Sequence, residues 1–221
     1  MEQILGNSDI SDWIGNKNTS SGIIDINTAE LINSTIGKKL NAVFIKGDPL
    51  PPLWHWFAFP SATHLSQLGD DGHPKHVGYI PPQNLTRRMW ASGSLTFHSD
   101  LRIGEEIIKD TTLLDIKEKE SQSGEMVFIT YEHKLGNNDN IAITETQNIV
   151  YLQASDSFNP PKKRDVPQAD YPKEKIVISN PLLFRFSALT YNAHRIHYDL
   201  KYAQEVEKYP HLIVHGPLQA L

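Results

Sequence analysis

The chain has 221 residues, 39% of them hydrophobic and 21% charged, a formal charge of −5, and no cysteine. The acidic balance excludes a global basic field for nucleic acid, and the lack of cysteine excludes disulfides, thiolate metal sites and a cysteine nucleophile. No apolar run approaches the ~20 residues of a membrane span, and the opening M-E-Q-I-L-G-N-S-D-I-S-D-W carries acids without a basic region, so a cytoplasmic protein is expected.

The first predicted element is a short helix. Asn27 caps it with Glu30 three residues on; Leu31, Ile32, Thr35 and Ile36 share a face, and Gly37 stops it. Prolines then bound the aromatic segment L-W-H-W-F-A-F at 53–59, a buried helix or an apolar strand, with Trp54, His55 and Trp56 expected in a core or interface. Residues 70–83 have turn chemistry. Arg87, Arg88, Met89 and Trp90 precede a strand series and read as a packing and salt-bridge segment. Strands are expected at 94–98 (Leu95 and Phe97 on one face), 107–118 (Ile108, Leu114, Ile116), 126–134 (Val127, Ile129, Tyr131) and 141–152. Gly104, Ser123-Gly124 and Gly136-Asn137-Asn138 supply the turns. Residues 20–153 therefore read as an α+β unit with an antiparallel meander.

Residues 154–174 are polar and proline-rich, a linker or long surface loop. Its Lys162-Lys163-Arg164 triplet reads as solvated, with a phosphate contact as the alternative. A second unit, 175–221, is expected to begin with a short strand at 176–179 and an apolar stretch on both sides of Arg185. It then reaches a helix capped by Asp199, with Leu200, Ala203 and Val206 on one side and Pro210 at its end.

Between these elements lies Y-N-A-H-R-I-H-Y-D, Tyr191 to Asp199, where titratable and hydrogen-bonding groups crowd beside the apolar P-L-L-F-R-F. Three roles are open to them. His194 and His197, with Asp199 or His215, can be metal ligands, although the spacing lacks the i, i+4 pair around a glutamate. The side chains can simply satisfy buried backbone groups. Or His197 can serve as a general base near neutral pH, with Asn192 orienting a water, Arg195 binding an anion, and the Gly216 amide after His215 holding an oxyanion at a helix start.

The nine-residue cluster followed by I-V-H-G-P-L resembles the MaoC-like hotdog hydratases, in particular the hydroxyacyl-thioester dehydratase type 2 and mesaconyl-C4-CoA hydratase-like branch. L-P-P-L-W-H-W-F-A-F, G-D-D-G-H-P and P-P-Q-N-L-T-R-R-M-W-A-S-G-S-L-T-F resemble the N-terminal half of that branch. The resemblance runs from about Leu50 to Leu221. It implies an α+β hotdog fold, with one complete non-catalytic N-terminal hotdog and the start of a second that carries the chemistry. The remainder of the second sheet is expected beyond Leu221 or on a separate polypeptide.

By the same resemblance, the catalytic positions are His197, Asn192 and Gly216, and Arg195, Tyr191, His194, Arg185 and His215 are expected at the substrate. The wider family has an aspartate where Asn192 stands, which leaves His197 as the single base; Asp199 is a candidate to tune it. The implied reaction is reversible hydration of a 2-enoyl or mesaconyl-like thioester to a 3-hydroxyacyl thioester. No metal and no cofactor are expected beyond the coenzyme A or acyl carrier protein of the substrate, and a homodimer or a complementing hotdog subunit is the expected assembly. The alternatives are a non-catalytic thioester-binding or assembly subunit, and a hotdog thioesterase.

Overall fold

The computed structural model describes residues 12–37, 40–75, 85, 87–121, 124–137, 140–153, 156–158, 160, 165 and 176–221. The Lys162–Arg164 triplet and most of the expected linker lie outside the described residues.

A five-stranded antiparallel sheet organises the first unit, in the order β1-β3-β4-β5-β2. β1 (Lys17–Ile23) pairs only with β3 (Glu106–Ser121). Its sequence, K-N-T-S-S-G-I, has no apolar alternation, so it escapes prediction. β4 (Gly124–Gly136) and β5 (Ile141–Leu152) pair along their length, and β2 (Arg87–Phe97) closes the far edge. β2 starts at Arg87, so Arg87 to Trp90 lie inside the strand rather than before it. β3 carries a bulge between Leu113 and Asp115. The extra residue inverts the facing of the rest of the strand: Ile107, Leu113 and Ile116 are buried, whereas Leu114, expected inward, is 43% exposed.

The helix α1 (Ile26–Ile36) is capped by Asp25, whose carboxylate accepts from Thr28 N at 2.7 Å, and not by Asn27, which lies within its first turn. Ile24, Ala29 and Ile32 are fully buried and pack against Ile107, Leu135 and Ile143 of the sheet. The aromatic segment forms a 3₁₀ turn, Trp54–Phe57. Glu145, 3% exposed, accepts from the Trp56 indole at 3.1 Å and lies 3.4 Å from His55 Nε2. Burial opposes its charge, but the hydrogen bond and the charge of His55 outweigh that and hold its carboxyl below the usual range.

The C-terminal segment docks onto this unit. Residues 176–179 are not a strand; they lead into α2 (Asn180–Thr190), with the Ser179 hydroxyl accepting from Leu182 N and proline in the first turn. Leu183, Phe186 and Ser187 form its buried face. Phe186, 1% exposed, meets Phe57 edge-on at 5.4 Å between ring centroids. α3 (Leu200–Glu205) is capped by Asp199 as expected, but buries Tyr202 and Ala203 while Leu200 and Val206 face solvent, and it ends ahead of Pro210. α4 (Gly216–Ala220) comes last. Among the described residues no helix is long and apolar enough to cross a membrane.

A second lock is ionic. Arg87 Nε donates to Glu207 Oε2 at 2.7 Å and its Nη2 to the Glu207 carbonyl at 2.9 Å, with both side chains at most 10% exposed. Arg87→Met strands a buried carboxylate and should cost about 3 kcal/mol, while adding Glu207→Leu should recover most of it. Urea unfolding of both variants checks this; equal losses would show that the pair does not hold the segment.

Candidate active site

The backbone from α2 to α4 gathers three buried imidazoles. Tyr191 ends α2 in the left-handed region at φ 52°, and the chain turns sharply. Asn192 Oδ1 accepts from His194 N at 2.9 Å and sets the next turn. A 3₁₀ turn, Arg195–His197, then points His194 and His197 inward, at 6% and 7% exposure. His215, 1% exposed, returns as the residue before α4 and stacks on His197 with centroids 3.6 Å apart.

His197 Nδ1 lies 2.7 Å from the carbonyl of Ile213. A carbonyl only accepts, so Nδ1 carries the hydrogen and Nε2 carries the lone pair. Burial, only partly offset by this hydrogen bond, pushes the His197 pKa down to about 4. Burial also pushes His215 down to about 3 and His194 to about 2, the latter aided by neighbouring imidazoles. All three rings are therefore neutral at pH 7, and His197 is set as a proton acceptor. His215 Nε2 shares a hydrogen bond of 2.9 Å with the Ser187 hydroxyl.

A loop of the first unit completes the cluster. Arg195 N donates to the Asp71 carbonyl at 2.9 Å, and Arg195 Nη1 to the Asp70 carbonyl at 3.0 Å. Gly72, at φ +91°, passes so close to the Ala193 carbonyl that a Cβ would lie 1.9 Å from that oxygen. This clamp brings the His73 ring to 4.1 Å from that of His194, which in turn lies 5.5 Å from His197. Asp71 accepts twice from His73, from its amide and its Nδ1, both at 2.9 Å. Burial raises the Asp71 pKa, but these hydrogen bonds outweigh it and the carboxyl sits below its usual range.

Of the residues expected at the site, His197, His215, His194 and Asn192 come together, and Gly216 follows His215 as the first residue of α4, against the Trp90 ring. The expected anion and substrate contacts fare differently. Arg195 is bonded to Asp199 at 2.7 Å and to the Asp70 carbonyl. Tyr191 is 63% exposed. Arg185 is exposed on α2 and reaches the Ser34 carbonyl instead. Asp199 caps α3 and pairs with Arg195, so the partner of His197 Nδ1 is the Ile213 carbonyl. Among the described residues, Asp71, His73 and His194 place ligand-capable atoms within 4.8 Å of one another, a different set from the alternative of His194, His197 and Asp199 or His215 that the spacing left open. Asp71 and His73 are not legible as site residues because D-D-G-H-P has the composition of a turn; their signal is the acid–glycine–histidine order. A separate cavity of about 370 Å3 lies against Leu50, Leu53, His55 and Phe97, away from these imidazoles.

The family described as hydroxyacyl-thioester dehydratase type 2 matches residues 53–221. The chain is 44% identical over 174 residues to mesaconyl-C(4)-CoA hydratase of Chloroflexus aurantiacus, covering 78% of this chain and 62% of that protein. It is 28% identical over 197 residues to the mitochondrial hydroxyacyl-thioester dehydratase type 2 of Schizosaccharomyces pombe, covering 76% and 64%. The chain thus spans a little over three-fifths of the length of these curated relatives. Among solved structures, HtdX of Mycobacterium tuberculosis aligns with a TM-score of 0.62 at 16% identity, over 92% of this chain and 72% of that one. A MaoC-like dehydratase of Phytophthora capsici aligns at 0.58 and 11% identity, over 96% and 74%. At these identities the likeness establishes the fold: the antiparallel sheet packed on α1 is a hotdog.

The buried neutral histidines make stability depend on pH. Their folded pKa values lie below the unfolded value of about 6.5, so the unfolded chain binds more protons under acid. The stability of burying them neutral is complete above pH ~6.5 and is lost progressively as pH falls from there through the folded values, about 4 for His197, about 3 for His215 and about 2 for His194. Melting temperature should drop between pH 7 and pH 5, and His194→Asn should flatten that drop; an unchanged slope would show that His194 is not held neutral.

Proposed function

We propose that this chain, which belongs to the hydroxyacyl-thioester dehydratase type 2 family, is a hydro-lyase that reversibly hydrates a 2-enoyl or mesaconyl-like thioester to a 3-hydroxyacyl thioester. The observation that carries this reading is His197, a buried neutral base whose Nδ1–H is tied to the Ile213 carbonyl and whose stacking partner His215 leads directly into the first amide of α4.

In this mechanism the thioester carbonyl oxygen sits on the Gly216 N–H. That amide opens a helix and has no intrahelical acceptor, so it can stabilise enolate charge as water adds at Cβ. His197 Nε2 takes the proton of the attacking water. Asn192 has its Oδ1 engaged with His194 N, so it shapes the turn that presents His197 and cannot be a base. Stacked on His197 and bonded to Ser187, His215 fixes the plane of the basic ring.

The mesaconyl-like substrate is favoured by the 44% identity to the Chloroflexus protein. Coenzyme A or an acyl carrier protein would carry the acyl group, with no other cofactor, and a homodimer or a complementing hotdog subunit is the assembly we favour.

His197→Ala should lower kcat for enoyl-CoA hydration by about 10²–10⁴-fold while the fold persists. Loss of the conjugated enoyl-thioester absorbance measures the rate. Turnover unchanged in His197→Ala would remove His197 as the base, and release of free thiol with no hydroxyacyl product would replace hydration by thioester hydrolysis.

A further inference from the structure

We infer that the first hotdog supplies a second acid–base group to this site: His73, held by Asp71, delivers and removes the proton at Cα. The inference rests on the hydration reading above and deepens it.

Hydration needs two proton transfers. Water must lose a proton as the C–O bond forms at Cβ, and Cα must gain one as the enolate collapses. His197 accounts for the first. Asn192, where an acid would be looked for, carries no titratable proton, and its Oδ1 is already bonded to His194 N. A second donor is needed, and among the described residues the Asp71–His73 pair is brought to the cluster from outside the C-terminal segment. The loop holding Asp71 and His73 is clamped to residues 193–195 by two hydrogen bonds from Arg195 and by the close passage of Gly72 against Ala193.

Within that loop the two hydrogen bonds to Asp71 fix both the backbone and the ring of His73. With Nδ1 bonded to the carboxylate, Nε2 is the remaining edge of the imidazole. His73 faces Asp71 and His194, and Arg88 presents its charge to the same cluster. The His73, His194 and His197 rings form a contiguous row, at 4.1 and 5.5 Å.

The steps balance. Water oxygen bonds to Cβ as its proton goes to His197 Nε2, and the π pair moves onto the thioester oxygen held by Gly216. The enolate re-forms the carbonyl as Cα takes the Nε2 proton of His73. Proton transfer from His197 back to His73, through His194 or through water, resets both rings. Dehydration runs the same steps in reverse, so His73 is then the base at Cα. Asp71 acts through His73 and is a positioning residue.

The test uses the intact chain and its His73→Gln, Asp71→Asn, Asp71→Glu and His197→Ala variants, with folding checked by thermal melting. Two rates are measured: hydration of an enoyl-CoA, and exchange of the α-hydrogen of a saturated acyl-CoA into D2O. Binding of the saturated acyl-CoA is measured by calorimetry. His73→Gln should lower both rates about 10²-fold or more with affinity unchanged, whereas His197→Ala should lower hydration and spare exchange. Asp71→Asn should lower kcat at constant affinity, with partial recovery in Asp71→Glu. Hydration by His73→Gln within about threefold of the parent overturns the inference and leaves the hydration reading standing. A parent protein that neither hydrates nor exchanges when assayed in its complete assembly overturns both. Loss of turnover on chelation, restored by Zn2+ alone, overturns the acid role and assigns Asp71, His73 and His194 to a metal ion.

Discussion

An imidazole removed from water loses its charge more easily than it finds a partner for it, and this constraint governs the C-terminal half of the structure. His197 packs against both His194 and His215, with the Ile213 carbonyl bonded to His197 and the Ser187 hydroxyl to His215. Three charged rings in that space would repel one another as well as forfeit hydration. The neutral state is thus a condition of the packing, and it selects the tautomer of His197 that leaves Nε2 available. The proposed base chemistry is a by-product of how the segment buries itself.

The burial is made possible by the first unit. Phe186 enters the same core as Ile24, Ile32 and Phe57, and Arg87 reaches from the edge strand to Glu207. One contact is apolar and the other ionic, and they hold opposite ends of the segment, α2 and the turn after α3. Between them the Asp70–Pro74 loop touches the backbone that carries the histidines. The proposed division into a catalytic and a non-catalytic half is accordingly one of origin more than of chemistry, since the loop of one half abuts the rings of the other.

Legibility in the sequence tracks the range of the interaction. β4 and β5 are readable because Val127, Ile129 and Tyr131 alternate and the glycine-asparagine turn is local. The inward phase of β3 is lost at one inserted residue, after which Ile116 rather than Leu114 meets the core. β1 is a polar edge strand defined by its pairing with β3, so pattern alone does not reveal it. Asp25 displaces Asn27 as a cap because the helix begins two residues earlier than its apolar stripe suggests. In the site, the histidines and Gly216 are visible as a cluster, while Arg185 is bonded to the Ser34 carbonyl and Tyr191 is largely exposed. The loop carrying His73 reads as a turn, which it is; its second role depends on a contact that local composition does not encode.

That contact joins residues 125 positions apart, as in the bond from Arg195 to Asp70. Closing so long a loop of chain is slow compared with forming hairpins. The sheet is therefore expected to form ahead of the row of imidazoles, and the proposed site is completed when the segment docks. The same order runs backwards under stress. The segment after residue 176 has fewer ties than the sheet and belongs to the less stable part of the molecule. Its opening would separate His73 from His194 without disturbing a strand, so the proposed site can come apart while most amide protons remain protected from exchange.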